Sequence, residues 1–249
     1  MMRAPAAAVL LAGCVLTGCA HVVTGAARVA APEAPAHTTV APAPNATIDA
    51  ARRSVVQVRA PAGDCGKLLG GTGFVVAPHR VLTAAHVVAG SDSVSIEAND
   101  NVLDAQVVSY DAAADVAIID VPGLVAPPLS LAPLPVEPGT KASVLAYPEH
   151  GAFAAVSATV GQLVDLTGPN IYRTTNVTRA VYVVSLPGGL PPGASGGPLV
   201  DRAGRVLGVM FGNDVEHADT GFALTSVELA RQTTVLTGGT PVWTGDCVE

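Results

Sequence analysis

The sequence predicts an all-β chain in which two six-stranded antiparallel β-barrels are followed by a short C-terminal helix. Three observations support this fold class. The 249 residues include 26 glycines and 20 prolines, which favours many short strands over long helices. From Ser54 onward, short runs rich in valine alternate with turn residues. A proline-rich crossing, Pro122–Pro138, separates two groups of such runs, and each group predicts one barrel.

The predicted elements follow in chain order. Barrel one, at about residues 47–125, is predicted to contain Ser54–Arg59, Gly71–Ala77, Val81–Thr83, Ser93–Glu97, Val102–Tyr110 and Val116–Val121. Barrel two, at about residues 136–236, is predicted to contain Ala142–Ala146, Phe153–Leu166, Ile171–Thr175, Val181–Ser185, Pro198–Val200, Val206–Phe211 and Gly221–Thr225. The one helix predicted to be longer than a single turn is Ser226–Leu236, with Ser226 as its N-cap. Together these elements form a predicted domain over residues 47–249.

The N-terminus has the layout of an export signal over residues 1–19, because a short apolar run is followed by small residues and a cysteine. Leu16–Cys19 resembles the lipobox of bacterial lipoproteins, which predicts lipidation at Cys19. The segment ending at Cys14 fits the same pattern with a shorter apolar run, and simple cleavage of the leader is the alternative. Residues 20–46 are rich in alanine and proline and predict an extended tether. We therefore expect an exported, periplasmic or cell-envelope protein that is lipid-anchored to the membrane.

Two cysteines remain outside the leader, Cys65 and Cys247, and they allow only one intramolecular pairing. An exported protein meets an oxidising compartment, so a disulfide is expected and two free thiols are the alternative. The formal net charge of −7, without a cluster of lysine and arginine, argues against a nucleic-acid partner. His79, His150 and His217 show no metal-ligand spacing, so no metal and no cofactor is expected.

Two segments supply a candidate base and the group that orients it. His86 follows Thr83-Ala84-Ala85, where a strand runs into a turn and small neighbours leave room for an imidazole over a cleft. Asp115 opens the apolar run Val116–Ile119, and a buried carboxylate needs a partner such as a histidine Nδ1–H. Asp111 and Asp120 are alternatives to Asp115, although Asp115 alone directly precedes the apolar run.

A third segment, Pro192–Pro198, supplies a candidate nucleophile at Ser195 within a glycine-rich turn. The amides of Gly193 and Ser195 are the candidate oxyanion donors. The turn also matches the Gly-x-Ser-x-Gly elbow of α/β-hydrolases, whose chain order is serine, acid, histidine. Here the order is His86, Asp115, Ser195, which excludes that family.

With these segments, the chain from about Asp49 to Glu249 resembles trypsin/chymotrypsin-like serine proteases, and within that family the mycobacterial periplasmic members. Gly71–Val76 before the histidine and Gly208–Gly212 after the serine also match. The resemblance implies a chymotrypsin-like fold, a triad of His86, Asp115 and Ser195, and protein or peptide substrates.

The chain departs from the family pattern at two positions. Ala194 stands where the family often has an aspartate, which rules out activation by pairing with a newly cut N-terminus. Gly189 replaces the pocket acid of trypsins, so we expect no preference for lysine or arginine by that device. The rival to a serine endopeptidase is a catalytically silent binding module of the same fold that holds peptides or envelope proteins.

Overall fold

The structure is a computed structural model that describes residues 46–98, 101–132, 135–149, 151–232 and 239–248. The predicted leader, the predicted lipidation site Cys19 and the predicted tether up to residue 45 lie outside these residues, as does His150. Within the described residues, no helix combines the length and the apolar character that crossing a membrane requires.

The first sheet contains six antiparallel strands in the hydrogen-bonded order β1-β2-β3-β6-β5-β4. Strand β4 also pairs with β1 over Gln57–Arg59, which closes the sheet into a barrel. The strands are β1 (Val55–Ala62), β2 (Lys67–Ala77), β3 (Arg80–Thr83), β4 (Val94–Ala98), β5 (Asn101–Asp111) and β6 (Val116–Asp120).

The second sheet also has six antiparallel strands, in the order β10-β11-β12-β9-β8-β7, and β10 pairs in turn with β7. Its strands are β7 (Lys141–Ala146), β8 (Ala154–Pro169), β9 (Asn176–Ser185), β10 (Pro198–Asp201), β11 (Val206–Asn213) and β12 (Thr220–Thr225). In the part of the chain that the structure describes, two short α-helices accompany the sheets, α1 (Ala46–Arg52) and α2 (Ser226–Gln232). The prediction of a mostly β chain with two six-stranded sheets and few helices is confirmed.

Small aliphatic side chains fill the cores, in keeping with an aromatic content of only 4%. In β4, Val94, Ile96 and Ala98 are buried while the residues between them are only partly buried, which is the period of two typical of a strand with one face on the core. Among the large side chains of the described residues that are fully buried, Phe74 and Tyr182 are the aromatic ones. Valine and alanine are the commonest buried side chains, and valine suits the strands because its branched side chain packs well on a pleated surface.

One apolar cluster joins the two barrels and so fixes the cleft between them. Phe74, Leu82 and Ile118 of the first sheet share this cluster with Leu145 and Leu224 of the second. All five side chains are fully buried. The barrels therefore meet through a packed interface, and side chains on their facing loops are held in register with one another.

The structure corrects the prediction of a strand at Ile171–Thr175. These residues form the turn between β8 and β9, in which the Asn170 side-chain oxygen accepts hydrogen bonds from the amides of Tyr172 and Thr174. A local side-chain acceptor of this kind competes with a strand ladder and favours a turn. Helix α1 was not predicted either, because it begins at Ala46, where the sequence predicts the end of the tether.

Candidate active site

The candidate base His86 lies in a short 3₁₀ turn, Ala85–Val87, directly after β3. Ala84 and Ala85 are fully buried, so this segment packs closely against the first barrel. The His86 side chain keeps 30% of its surface exposed, and it faces the cleft cavity described below. The imidazole is thus anchored on one side and accessible on the other.

Asp115 directly precedes β6, the last strand of the first barrel in chain order, and is 3% exposed. It has a φ of 59°, a left-handed conformation that is uncommon outside glycine. The preceding turn is held by Asp111, whose Oδ1 accepts the amides of Ala113 at 2.9 Å and Ala114 at 2.8 Å. This capped turn aims the Asp115 carboxylate away from the strand ladder.

The Asp115 carboxylate holds both the backbone and the ring of His86. Its Oδ1 accepts the His86 amide at 3.0 Å, and the ring Nδ1 lies 2.9 Å from Oδ2 and 3.1 Å from Oδ1. An ionised carboxylate can only accept, so Nδ1 carries the proton and Nε2 is left as an acceptor. Asp120 instead forms an ion pair with Arg80, so of the three carboxylates considered from the sequence Asp115 is the one bonded to the ring.

The environment of His86 changes its pKa in two opposing ways. Burial lowers the pKa of the ring, while the charge of Asp115 and its hydrogen bond raise it. The two contributions from Asp115 together exceed the effect of burial, so the pKa of His86 lies above its ordinary value of 6.5.

The turn that carries Ser195 packs against the same region of the first barrel. A β-carbon at Gly71 would lie 2.7 Å from Cγ2 of Val87 and 2.9 Å from the carbonyl oxygen of Ser195. Val87, which follows His86, and Ser195 are therefore both in close contact with Gly71. Within the described part of the chain, no hydrogen bond joins the Ser195 hydroxyl to His86. Such bonds are often long without substrate and tighten when it binds.

Two amides of this turn have no hydrogen-bond partner among the residues that the structure describes, and they are those of Gly193 and Ser195. Their neighbours are satisfied: the amide of Ala194 donates to Pro191 O at 3.1 Å, and the amides of Gly196 and Gly197 are also paired with backbone carbonyls. Gly193 and Ser195 are both partly exposed, so a ligand can reach these amides. A pair of free N–H groups, one of which is the serine's own, is suited to bind an oxyanion.

Carbonyl contacts fix the direction of both free amides. The carbonyl of Pro192 accepts the Glu149 amide at 3.0 Å, and that of Ala194 accepts the Gly197 amide at 2.9 Å. Because N–H and C=O point in opposite directions across a trans peptide, the next amide in each case points away from these donors. Gly193 has a φ of 90°, and a β-carbon there would lie 2.6 Å from the Glu149 nitrogen, so this position requires glycine.

A cavity of about 730 Å³ opens beside the His86–Asp115 pair. Its walls combine the β8–β9 turn, Arg179 of β9, Phe211 of β11 and the C-terminal residues Asp246–Val248. Cys65 and Cys247 are joined by a disulfide, which attaches this C-terminal wall to the first barrel. The cavity therefore extends from the candidate base across both barrels and is large enough for several residues of an extended peptide.

The sequence reasoning missed two residues at this site, Thr72 and Arg179. Thr72 is fully buried and hydrogen-bonded to the turn of Ser195. Its position between Gly71 and Gly73, ahead of an apolar strand, was a signal that it packs against backbone. Arg179 is 7% exposed, and its Nε donates to Ala113 O at 2.8 Å in the turn before Asp115. A lone arginine in a valine-rich strand was the available signal there.

Residues 71–209 match the family described as trypsin-like peptidase domain. The serine protease Rv3671c of Mycobacterium tuberculosis strain H37Rv is 46% identical over 206 residues, which cover 82% of this chain and 51% of that protein. The chain thus spans about half the length of the curated relatives it matches. The solved active form of the Rv3671c protease superposes with a TM-score of 0.80 at 44% identity and covers 87% of this chain and 97% of that one.

The inactive form of the same protease superposes with a TM-score of 0.69 at 43% identity, covering 80% of this chain and 99% of that chain. The resemblance to trypsin-like serine proteases drawn from the sequence is therefore confirmed. On the extent of the family match and the identity to these relatives, the chain belongs to the trypsin-like peptidase family.

Proposed function

We propose that this chain is a serine endopeptidase in which Ser195 is the nucleophile, His86 the general base and Asp115 the group that orients the base. The observation that carries this proposal is the bond from Nδ1 of His86 to Asp115, 2.9 Å, at the edge of a cavity. Ser195 lies in a neighbouring turn with two unpaired amides, which meets the residue after His86 at Gly71. Family membership and the greater similarity to the active form of the mycobacterial relative support it.

The geometry suits acyl transfer in two steps. The Ser195 oxygen forms a bond to the substrate carbonyl carbon while its proton moves to Nε2 of His86, and Asp115 stabilises the resulting imidazolium. The negative oxygen of the tetrahedral intermediate accepts hydrogen bonds from the amides of Gly193 and Ser195. His86 then gives its proton to the leaving amine as the C–N bond breaks. A water molecule releases the acyl group by the same route in reverse.

Labelling with a fluorophosphonate tests the proposal, because this reagent reacts with a serine only when a base activates it. The full chain is expected to label, and both Ser195→Ala and His86→Ala are expected to lose the label. The rival function, a silent binding module, predicts a folded protein that never labels although it binds peptides. Hydrolysis of a peptide library would then give the substrate preference.

We also propose that the protein is exported and held at the membrane by a lipid on Cys19, so that it acts on proteins of the cell envelope. The leader pattern ending at Leu16–Cys19 supports this, since acyl chains bind bilayers in proportion to their buried length. Cys19→Ala is expected to move the protein from the membrane to the soluble fraction. Cys14→Ala is the matched control and should leave it at the membrane. Equal partitioning of Cys19→Ala and the unaltered protein would refute lipidation.

A further inference from the structure

We propose that Thr72 is a positioning residue for the turn Pro192–Pro198, which is called the oxyanion turn from here on. Its hydroxyl holds the conformation of this turn and so affects the rate of the chemical step without touching substrate. This inference rests on the proposed function, because it assigns a purpose to the free amides of Gly193 and Ser195. Thr72 lies in β2 of the first barrel, whereas the turn belongs to the second. The side chain thus acts across the interface between the barrels.

Thr72 binds the carbonyls of both residues that carry the free amides. Its Oγ1 donates to the carbonyl of Gly193 at 2.7 Å, and its backbone amide donates to the carbonyl of Ser195 at 2.9 Å. Thr72 has no exposed surface, so water does not compete for these bonds. A glycine-rich turn has many alternative conformations, and two fixed carbonyls remove most of them.

The direction of the Thr72 hydroxyl proton is determined by a third bond. The amide of Tyr147 lies 2.9 Å from Thr72 Oγ1 and can only donate. Oγ1 must therefore accept from Tyr147, and its single proton is directed to Gly193. Tyr147 and Glu149 belong to the segment after β7, and the Glu149 amide holds the Pro192 carbonyl. Thr72 thus joins this supporting segment to the turn.

Thr72 also connects the oxyanion turn to the segment that carries the base. Its carbonyl accepts the Thr83 hydroxyl at 2.7 Å, and Thr83 ends the strand that leads into His86. A β-carbon at Gly196 would lie 2.2 Å from both the Thr72 carbonyl and Thr83 Oγ1, so the turn packs directly on this pair. The free amides and the base are therefore held by one buried network.

Loss of the hydroxyl would leave the Gly193 carbonyl and the Tyr147 amide without a partner in a buried place. Leaving two buried polar groups unpaired costs free energy, and this cost favours a rearranged turn in which the two groups find other partners. The segment of Tyr147 and Glu149 would also lose its bond to Thr72, and its Glu149 amide is the group that holds the Pro192 carbonyl. Rotation of the Pro192–Gly193 peptide would then turn the Gly193 amide away from the oxyanion. Because the oxyanion forms only in the transition state, this change lowers kcat and leaves KM nearly unaltered.

The test compares Thr72→Val with Thr72→Ser in the full chain, using a chromogenic peptide. Thr72→Val keeps the volume and removes the hydroxyl, so kcat is expected to fall about 100-fold. Thr72→Ser keeps the hydroxyl and is expected to stay within about threefold of the unaltered kcat. Thr225→Val is the matched control, because Thr225 is also buried, with 2% exposure, and its Oγ1 accepts the Glu228 amide at 3.3 Å, away from the turn of Ser195. It should lower the melting temperature without lowering kcat.

Each outcome decides for or against the inference. If Thr72→Val does not fold, Thr72→Ala removes the same hydroxyl without placing a methyl group there and decides instead. An unaltered kcat in the folded hydroxyl-free variant would overturn the role of Thr72 while Ser195-dependent turnover still supports the protease. A Thr72→Ser variant as slow as Thr72→Val would overturn it too. An unaltered chain without Ser195-dependent turnover would overturn both proposals.

Discussion

At the scale of single residues, the contact between His86 and Asp115 predicts the dependence of activity on pH. The base must be neutral to accept a proton, and Asp115 raises the pKa of His86 above 6.5 despite the opposing effect of burial. We therefore expect kcat/KM for a peptide to fall about tenfold per pH unit below a midpoint that lies above 6.5. A pH-rate profile measures this directly. A midpoint below 6.5, or a flat profile down to pH 4, would contradict His86 as the base.

The choice among three carboxylates can be tested with matched substitutions. Asp115→Asn is expected to lower kcat by about 10³–10⁴-fold, because an amide can hold the wrong tautomer of the histidine. Asp120→Asn changes a carboxylate at the far end of β6, where Asp120 pairs with Arg80 of the neighbouring strand β3, so it should lower stability and leave kcat within a few-fold. Equal losses of kcat in the two variants would argue against a special role for Asp115.

Chain order and flanking residues were sufficient to propose His86, Asp115 and Ser195 as candidates, and the structure shows the contact between the first two. The residues that support these candidates could not be predicted from the sequence. The positive φ of Asp115 and the bonds of Thr72 depend on contacts between residues far apart in sequence. Thr72 and Gly193, for example, are separated by 121 positions. The residue pattern along one strand carries no information on which distant backbone carbonyl a side chain of that strand will bond.

At the scale of elements, strand interiors were predictable and the connections were less so. Burial alternates along β4 in the way the sequence suggests, since one face must reach the core. The segment Ile171–Thr175 has the β-branched composition of a strand, yet the Asn170 side chain folds it into a turn. A single side-chain acceptor can determine whether such a segment forms a turn or a strand. The amino-acid composition does not show to which amides that acceptor will bond.

The turn before Asp115 is also held from the second barrel, by Arg179. Its Nε donates to Ala113 O at 2.8 Å, and its guanidinium lies 5.9 Å from the ring centre of Phe211. Burial lowers the pKa of Arg179, while Asp115 and Asp111 oppose that shift, so both carboxylates act on this cation. The side chain therefore joins β9 and β11 to the turn of the candidate acid.

Arg179→Met should loosen this link, since it leaves the Ala113 carbonyl without its donor. We expect the free energy of unfolding to fall by about 1–3 kcal/mol, measured by urea denaturation. Arg179→Lys keeps a cation without the planar fork and should recover only part of the loss. An unfolding midpoint unaltered in Arg179→Met would show that the contact contributes nothing to stability.

At the scale of the whole molecule, the sequence predicted two barrels but not how they meet. The shared apolar cluster draws on Phe74 and Leu82 from one sheet and on Leu145 from the other. In the sequence, each of these residues has the pattern of an ordinary inward-facing strand residue. The local pattern therefore does not distinguish residues in the core of one barrel from residues in the interface between the two barrels. The placement of the cleft, and with it the site, depends on this tertiary packing.

The C-terminal segment returns from the second barrel to the first, and its docking predicts how the disulfide contributes to stability. The amide of Gly90 donates to Thr244 O at 3.0 Å, and that of Val242 donates to Val107 O at 2.9 Å. The Tyr172 hydroxyl, at the β8–β9 turn, donates to the same Thr244 carbonyl at 3.4 Å. These bonds hold the tail in place locally, while the Cys65–Cys247 bridge closes a loop of 182 residues.

A bridge that closes so long a loop acts chiefly on the unfolded chain, and the chain-entropy model gives a contribution of about 5 kcal/mol. We expect Cys65→Ser/Cys247→Ser to lower the free energy of unfolding by several kcal/mol, roughly 2–5. Urea denaturation with and without reductant separates this effect from the loss of two side chains. Reductant should destabilise the unaltered protein and leave the double variant as it is. Equal midpoints for the oxidised protein and the double variant would mean that the tail bonds alone hold the C-terminus.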